Sequence, residues 1–217
     1  MADAHVWVRW CRVDSHHPDR AALCLDTVER DRVLEASTPG ERAHRATSFA
    51  LVRHVLSTAS GMAPADIGID RTCAACGVAH GRPRPTNLPH DVSVSHAAGW
   101  VVVAVGSSCR VGVDAEEGDT RAWTAVEAVL KCDGPGLRAH HAGVEVDTDP
   151  LRLVLYAARP ALVERIRLFA LRGAPAGITA TVAVHPECGC APIDGCVRED
   201  WSTYDACAGP VPAATHG

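Results

Sequence analysis

Three of the carboxylates in the stretch 111–137, and its one lysine, stand at spacings that local structure can turn into a site. Val111, Gly112 and Val113 continue an apolar run, so Asp114 and Glu116 fall at the end of an expected strand. Residues two apart in a strand point to the same face, so the two carboxylates converge. Trp123, Glu127 and Lys131 follow at i, i+4 and i+8 of an expected helix and share one side of it. Like charges brought together repel, and a cation relieves that cost. Hard oxygen ligands beside an ammonium group suit a divalent metal that holds a phosphate ester. Two of these side chains also have purely structural readings. Thr124-Ala125-Val126-Glu127 matches a capping box, in which Glu127 would reach back to the helix start. Lys131 would make an i, i+4 ion pair with Glu127.

Other residues offer further chemistry. Arg32, Arg45 and Arg82 are candidates for bidentate phosphate contacts. Arg53 reads as support for its own helix. Cys73-x-x-Cys76-x-x-x-His80 has the spacing of half a zinc site, with Cys188, Cys190 or His90 as sources of a fourth ligand. Cys188-x-Cys190 with Cys196 is a second, weaker metal candidate. Ser95-His96 is either a structural pair at a strand end or a donor pair for anionic oxygen.

The elements that must position these groups follow from periodicity and turn chemistry. Residues 6–11 alternate as an opening strand, and 19–36 carry leucine and valine at helical spacing. Pro39-Gly40 breaks that pattern, and a second helix runs over 41–60 to a stop at Gly61. Residues 62–91 read as irregular, 92–95 as a short strand, and 100–105 as a buried one. Ser107-Ser108 turns the chain into a strand over 110–114, and a helix covers 124–132. Strands follow at 144–156 and 178–184, while 160–168 is ambiguous. The expected class is α+β.

Composition narrows the field. With 217 residues and 47% hydrophobic residues, the chain can bury a substantial core. A net charge of −5 gives no basic field for nucleic acid. No apolar run approaches the ~20 residues of a membrane span, and the N-terminus lacks a signal-like core. A cytoplasmic location is expected, and with it ten reduced cysteines in place of a disulfide framework.

The stretch 111–137 resembles the phosphopantetheinyl transferases of the larger, surfactin-synthetase-activating type. Gly112-Val113-Asp114-Ala115-Glu116 matches the first half of their hallmark. Trp123 to Lys131, followed by Gly134-Pro135-Gly136-Leu137, matches the second. Upstream, Val92-Ser93-Val94-Ser95-His96 resembles the family's Phe-Asn-Leu-Ser-His segment. Cys73-Ala74-Ala75-Cys76-Gly77 with His80-Gly81-Arg82-Pro83 resembles the segment preceding it in many actinobacterial members. Residues 42–53 resemble its arginine-rich helix. The chain departs from the pattern at Val126, where the family has lysine, and at Val92 and Ser93.

The resemblance implies two similar lobes, each a small, mainly antiparallel sheet packed with a helix. They would span 1–107 and 108–185, with a loosely ordered tail over 186–217. It implies transfer of 4′-phosphopantetheine from coenzyme A to a serine of an acyl or peptidyl carrier protein, releasing adenosine 3′,5′-bisphosphate. Asp114, Glu116 and Glu127 would hold Mg²⁺ or Mn²⁺, and Glu127 would take the serine proton. Lys131, Ser95, His96, Arg82, Arg32 and Arg45 would bind coenzyme A phosphates. The chain is expected to act as a monomer. Two other readings stand beside this one: a degenerate homologue that binds coenzyme A or a carrier protein without transfer, and a small zinc-binding interaction protein.

Overall fold

The computed structural model describes residues 5–13, 24–73, 75–134 and 143–186, together with the backbone of 197–200. The chain is α+β, with small, mainly antiparallel sheets and three α-helices among the described residues. The central strand shows why. Val101 to Val105 form an unbroken apolar run, and all five side chains are fully buried. A strand reads this way when both of its faces are covered. This strand, β5 (Trp100–Ser107), sends Val101, Val103 and Val105 under a long helix, and Val102 and Ala104 into a core shared with the second sheet.

β5 lies between β1 (His5–Arg12) and β4 (His90–Ala97), antiparallel to both. The helix over its first face is α2 (Pro39–Ser60). It buries Leu51, Val52, Val55 and Leu56, each worth roughly 1.5–3 kcal/mol of transfer free energy. The helix starts two residues earlier than periodicity suggests. Pro39 sits in its first turn, where no N–H is needed, and Thr38 Oγ1 accepts from Glu41 N at 3.1 Å. Gly61, at φ 75°, ends it. A shorter helix, α1 (Thr27–Leu34), starts at Asp26, whose side chain accepts from Glu29 N, and packs on α2 through Val33. Arg53 is fully buried. Its guanidinium joins Glu29 and Asp26 of the α1 region to the carbonyls of Pro64 and Ile67. Residues 62–91, read as irregular, also contain a two-stranded ladder, β2 (Ile69–Asp70) with β3 (Arg84–Pro85).

At Ser108, φ 58°, the chain turns into the second sheet: β6 (Cys109–Glu117), β9 (Arg167–Ala170) and β10 (Ile178–Pro186), in the order β6-β10-β9. Helix α3 (Arg121–Asp133) covers one face, and the hairpin of β7 (Val144–Thr148) with β8 (Leu151–Tyr156) closes the far side of the same core. A last strand, β11 (Val197–Asp200), pairs in parallel with β1. It lies in the stretch read as aperiodic, so residues from that tail return to the first sheet. The rest of 187–217, with Cys188, Cys190 and Cys196, lies outside the described residues, as do 14–23. None of the described helices is long and apolar enough to cross a membrane.

The two sheets meet at their edge strands without a backbone ladder. β4 and β6 run side by side, and alternate side chains of β4 replace the missing acceptors. Asp91 Oδ2 accepts from Val111 N (2.8 Å), Ser93 Oγ from Val113 N (3.0 Å) and Ser95 Oγ from Ala115 N (3.3 Å). Cations cover the carbonyls of the same edge: Arg82 donates to Val111 O at 2.6 Å and Lys131 to Val113 O at 3.2 Å. Backbone groups that must be paired when buried are thus paired by side chains across the joint.

Candidate functional site

Gly112 decides where the site lies. A Cβ there would fall 2.0 Å from Ala128 O and 2.4 Å from Cys132 N, so only glycine lets α3 rest on β6 this closely. Asp114 and Glu116 share the α3-facing side of β6 with Gly112, and both helix residues, Glu127 and Lys131, come down onto it. Asp114 and Glu127 are 3% and 2% exposed, a burial that carboxylates seldom reach. Glu116 is half-buried.

Lys131 reaches across to Asp114 in place of the expected pair with Glu127. Its Nζ lies 2.6 Å from Asp114 Oδ1, 3.2 Å from Ser95 Oγ and 3.2 Å from Val113 O. An ammonium has three donors, and these contacts use them all. Ser95 donates to the same Asp114 Oδ1 at 2.9 Å. Asp114 Oδ2 is buried and has no hydrogen-bond partner among the described residues. An acceptor left in that condition costs about 1–3 kcal/mol, and it is the oxygen available to an incoming cation or donor.

The capping box is not formed. α3 begins at Arg121 after Thr120, which places Thr124 and Glu127 inside the helix. Thr124 Oγ1 donates back to Arg121 O and bonds Thr181 Oγ1 of β10, as a helix-interior threonine does when its hydroxyl has a neighbouring strand to meet. Trp123, 45% exposed, stands at the surface near the start of α3.

Next to this cluster a cavity of about 780 Å³ opens between α2, β4 and the loop 71–84. Arg32, Arg45, Arg71, Arg82, Arg84 and Lys131 stand in its wall, with His44, His80 and His96, and no carboxylate among the described residues does. A concave wall of one sign concentrates the field and draws anions. The arginines differ in how far they are engaged. Arg82 is consumed by the joint, donating to Val92 O, Asp91 Oδ2, Val111 O and Lys131 O. Arg45 bonds Arg32 O and Glu41. Arg71 pairs with buried Glu29 and lies over the Phe49 ring, 4.3 Å from its centroid. Arg32 also lies over that ring, 5.4 Å from its centroid, its guanidinium partly desolvated and crowded by Arg45. Arg71, Arg84, His44 and Phe49 were not singled out by sequence. The only signal was that Arg71 and Arg84 flank the Cys-x-x-Cys and His-Gly-Arg-Pro segments.

His96 opens onto the cavity with its Nε2 2.9 Å from Ser48 Oγ. Ser48 gives its one proton to His44 O at 2.9 Å, so His96 Nε2 carries the hydrogen of their shared bond. Desolvation, then His44 and Lys131, lower its pKa from the ordinary value to about 4. The imidazole is therefore neutral at pH 7, and Nδ1 is an acceptor until an anion beside it restores the proton.

Among the described residues, Cys73, Cys76 and His80 are the one group of such side chains whose ligand atoms all lie within 4.8 Å of one another. Asp114, Glu116 and Glu127 share a side but do not close to that distance. His90, a suggested fourth zinc ligand, packs against Trp7 at 6.2 Å between ring centroids. No protein-family model matches the chain, and no curated protein matches it either.

Proposed function

We propose that this protein transfers 4′-phosphopantetheine from coenzyme A to a serine of an acyl or peptidyl carrier protein, and that its two sheets form the two lobes of a phosphopantetheinyl transferase. The observation that carries the reading is the buried Asp114 carboxylate, one oxygen held by Lys131 and Ser95 and the other unpartnered, beside a cavity walled by cations. The donor set fits a hard divalent cation: Asp114 Oδ2 is an orphaned acceptor, and Glu116 and Glu127 lie on its side. Mg²⁺ held there would neutralise charge on a pyrophosphate and assist its departure. Arg32, Arg84 and His96 bind the phosphates of coenzyme A, with Arg45 and Arg71 adding field. The serine hydroxyl forms a bond to the phosphorus nearest the pantetheine. The bond from that phosphorus to the bridging oxygen breaks, and adenosine 3′,5′-bisphosphate leaves with the electron pair. Glu127 takes the serine proton. Lys131 orients Asp114.

A second reading, a homologue that binds coenzyme A or a carrier protein without transfer, draws on two observations. Val126 replaces the family's lysine, and Lys131 already fills one side of Asp114. One experiment separates the two. The chain is incubated with coenzyme A, Mg²⁺ and a panel of apo carrier proteins, and the carriers are weighed by intact mass spectrometry. Transfer adds the mass of the arm and releases the bisphosphate. Coenzyme A binding without any mass gain, across the panel and with Mn²⁺ as well, establishes the non-catalytic reading.

A further inference from the structure

The loop 71–83 carries chemistry that phosphopantetheine transfer does not use. Cys76 Sγ lies 2.9 Å from His80 Nε2, and Cys73 completes the trio within 4.8 Å. The backbone is folded to hold them there. Gly77 takes φ 74°, which turns the chain back after Cys76, and its N–H donates to Cys73 O at 2.8 Å. Val78 O accepts from both Cys73 N and His80 N, at 2.8 Å each, so one carbonyl ties the first ligand to the last. Gly81 N donates to Arg71 O at 2.7 Å. A Cβ on Gly81 would meet Thr72 O at 2.9 Å, so the two ends of the loop are pressed together.

Two thiols and an imidazole converging in a short loop are the soft, nitrogen–sulfur donor set that zinc takes. We infer that Cys73, Cys76 and His80 bind one Zn²⁺ per chain as three of its tetrahedral ligands. No fourth histidine, cysteine or carboxylate joins the group among the described residues. With Zn–S near 2.3 Å and Zn–N near 2.0 Å at tetrahedral angles, the Cys76–His80 contact opens to about 3.5 Å, a small adjustment for two exposed side chains. Charge also favours the site. Cys73 and His80 line the cationic cavity, and two thiolates cancel the charge of the ion, so the metal adds no repulsion to the arginine wall. The loop delivers Arg71 to Glu29 at one end and Arg82 to the sheet joint at the other, so the metal fixes both. Its role is to order the loop.

The test uses the full chain, purified from zinc-supplemented cells without chelator, and measures zinc by elemental mass spectrometry. About one zinc per chain is expected. Cys76→Ser and His80→Ala, both at exposed positions, should each lose it while circular dichroism stays that of the parent. The Co²⁺-substituted parent should show thiolate-to-cobalt charge-transfer absorption that Cys76→Ser lacks. Three results overturn the inference: a chain that neither retains zinc nor takes it from a chromophoric chelator; variants that keep the full complement, which assigns the metal to other cysteines; or a Cys73–Cys76 disulfide in protein purified under reducing conditions. None of these readouts involves coenzyme A or transfer, so their outcome is independent of the proposed activity.

Discussion

Two buried charge clusters flank the cationic cavity, and they are built to opposite specifications. Around Glu29 every charge is answered. Arg53 Nε donates to Glu29 Oε2 at 2.5 Å, Arg71 donates to Oε1 at 3.0 and 3.2 Å, and the remaining Arg53 donors reach Asp26 and two carbonyls. Around Asp114 one oxygen takes both the lysine and the serine, and the other takes nothing. A saturated cluster holds α1, α2 and the loop 71–84 in one arrangement and has no capacity left. An unsaturated one bears a standing cost, and that cost is recovered when a ligand arrives. The difference separates structure from site more sharply than burial does, since both clusters are buried.

The largest expected effect falls on the saturated cluster. Arg53→Met leaves Glu29 and Asp26 without their main partner, and breaking a buried ion pair this way costs about 3–5 kcal/mol. That is a large fraction of the ~5–15 kcal/mol by which such a chain is held folded. Urea unfolding of the variant beside its parent measures it. A variant of parental stability would remove the distinction between the two clusters.

The next effect falls on the unsaturated cluster and appears in turnover. Asp114→Ala should lower carrier-serine transfer by roughly 10²-fold or more while stability changes by at most about 1–3 kcal/mol. Glu127→Gln should keep the helix and lose turnover by a similar factor, since glutamine neither accepts the serine proton nor offers a hard anionic ligand. Rates at saturating Mg²⁺ and melting curves on the same preparations check both. If Asp114→Ala unfolds while the folded remainder keeps parental turnover, Asp114 belongs with Glu29 as structure.

The smallest effect is in pH and distinguishes a histidine on the cavity from one away from it. His54 and His96 both titrate at about 4, lowered by desolvation first, then by Arg9 in one case and by His44 and Lys131 in the other. Their unfolded value lies near 6.5. As pH falls through 6.5 the unfolded chain takes up these protons before the folded chain does. The linked stability is therefore complete above about 6.5 and declines toward 4. Pyrophosphate in the cavity should restore part of the loss at pH 5 through His96, and His54→Gln should leave that restoration intact. Melting temperatures across pH, with and without pyrophosphate, test this. Restoration that survives His96→Gln would place the anion elsewhere.

Much of this arrangement was legible in the chain, and the gaps have physical causes. The apolar run at Val101–Val105, the alternation over residues 6–11 and the α2 pattern ending at Gly61 are local signals, and strand or helix stands where each predicts it. The shared strand face of Asp114 and Glu116, and the shared helix side of Glu127 and Lys131, follow from periods of two and four. What local pattern does not encode is the partner. Lys131 satisfies an i, i+4 rule with Glu127 yet bonds Asp114, because β6 lies under α3 and Asp114 is the buried acceptor within reach. Thr124-x-x-Glu127 fits a capping box, but a helix starting at Arg121 leaves it no end to cap. β11 carries only four residues and no apolar alternation, and it pairs with a strand almost two hundred positions away. Arg71 and Arg84 were inconspicuous in a chain rich in arginine. Only the closing of the 71–84 loop on α2 makes them part of one wall.

The serine and aspartate rungs between β4 and β6 have a consequence for how this molecule fails. Each rung is a separate side chain, so the joint has no backbone cooperativity of its own, and loosening it leaves both sheets intact. What it uncovers is the rim of β6, a row of N–H groups at Val111, Val113 and Ala115 in an apolar segment, ready to pair with the same rim of another molecule. Damage at this joint is expected to favour intermolecular strand addition at that rim, which three short polar side chains keep occupied.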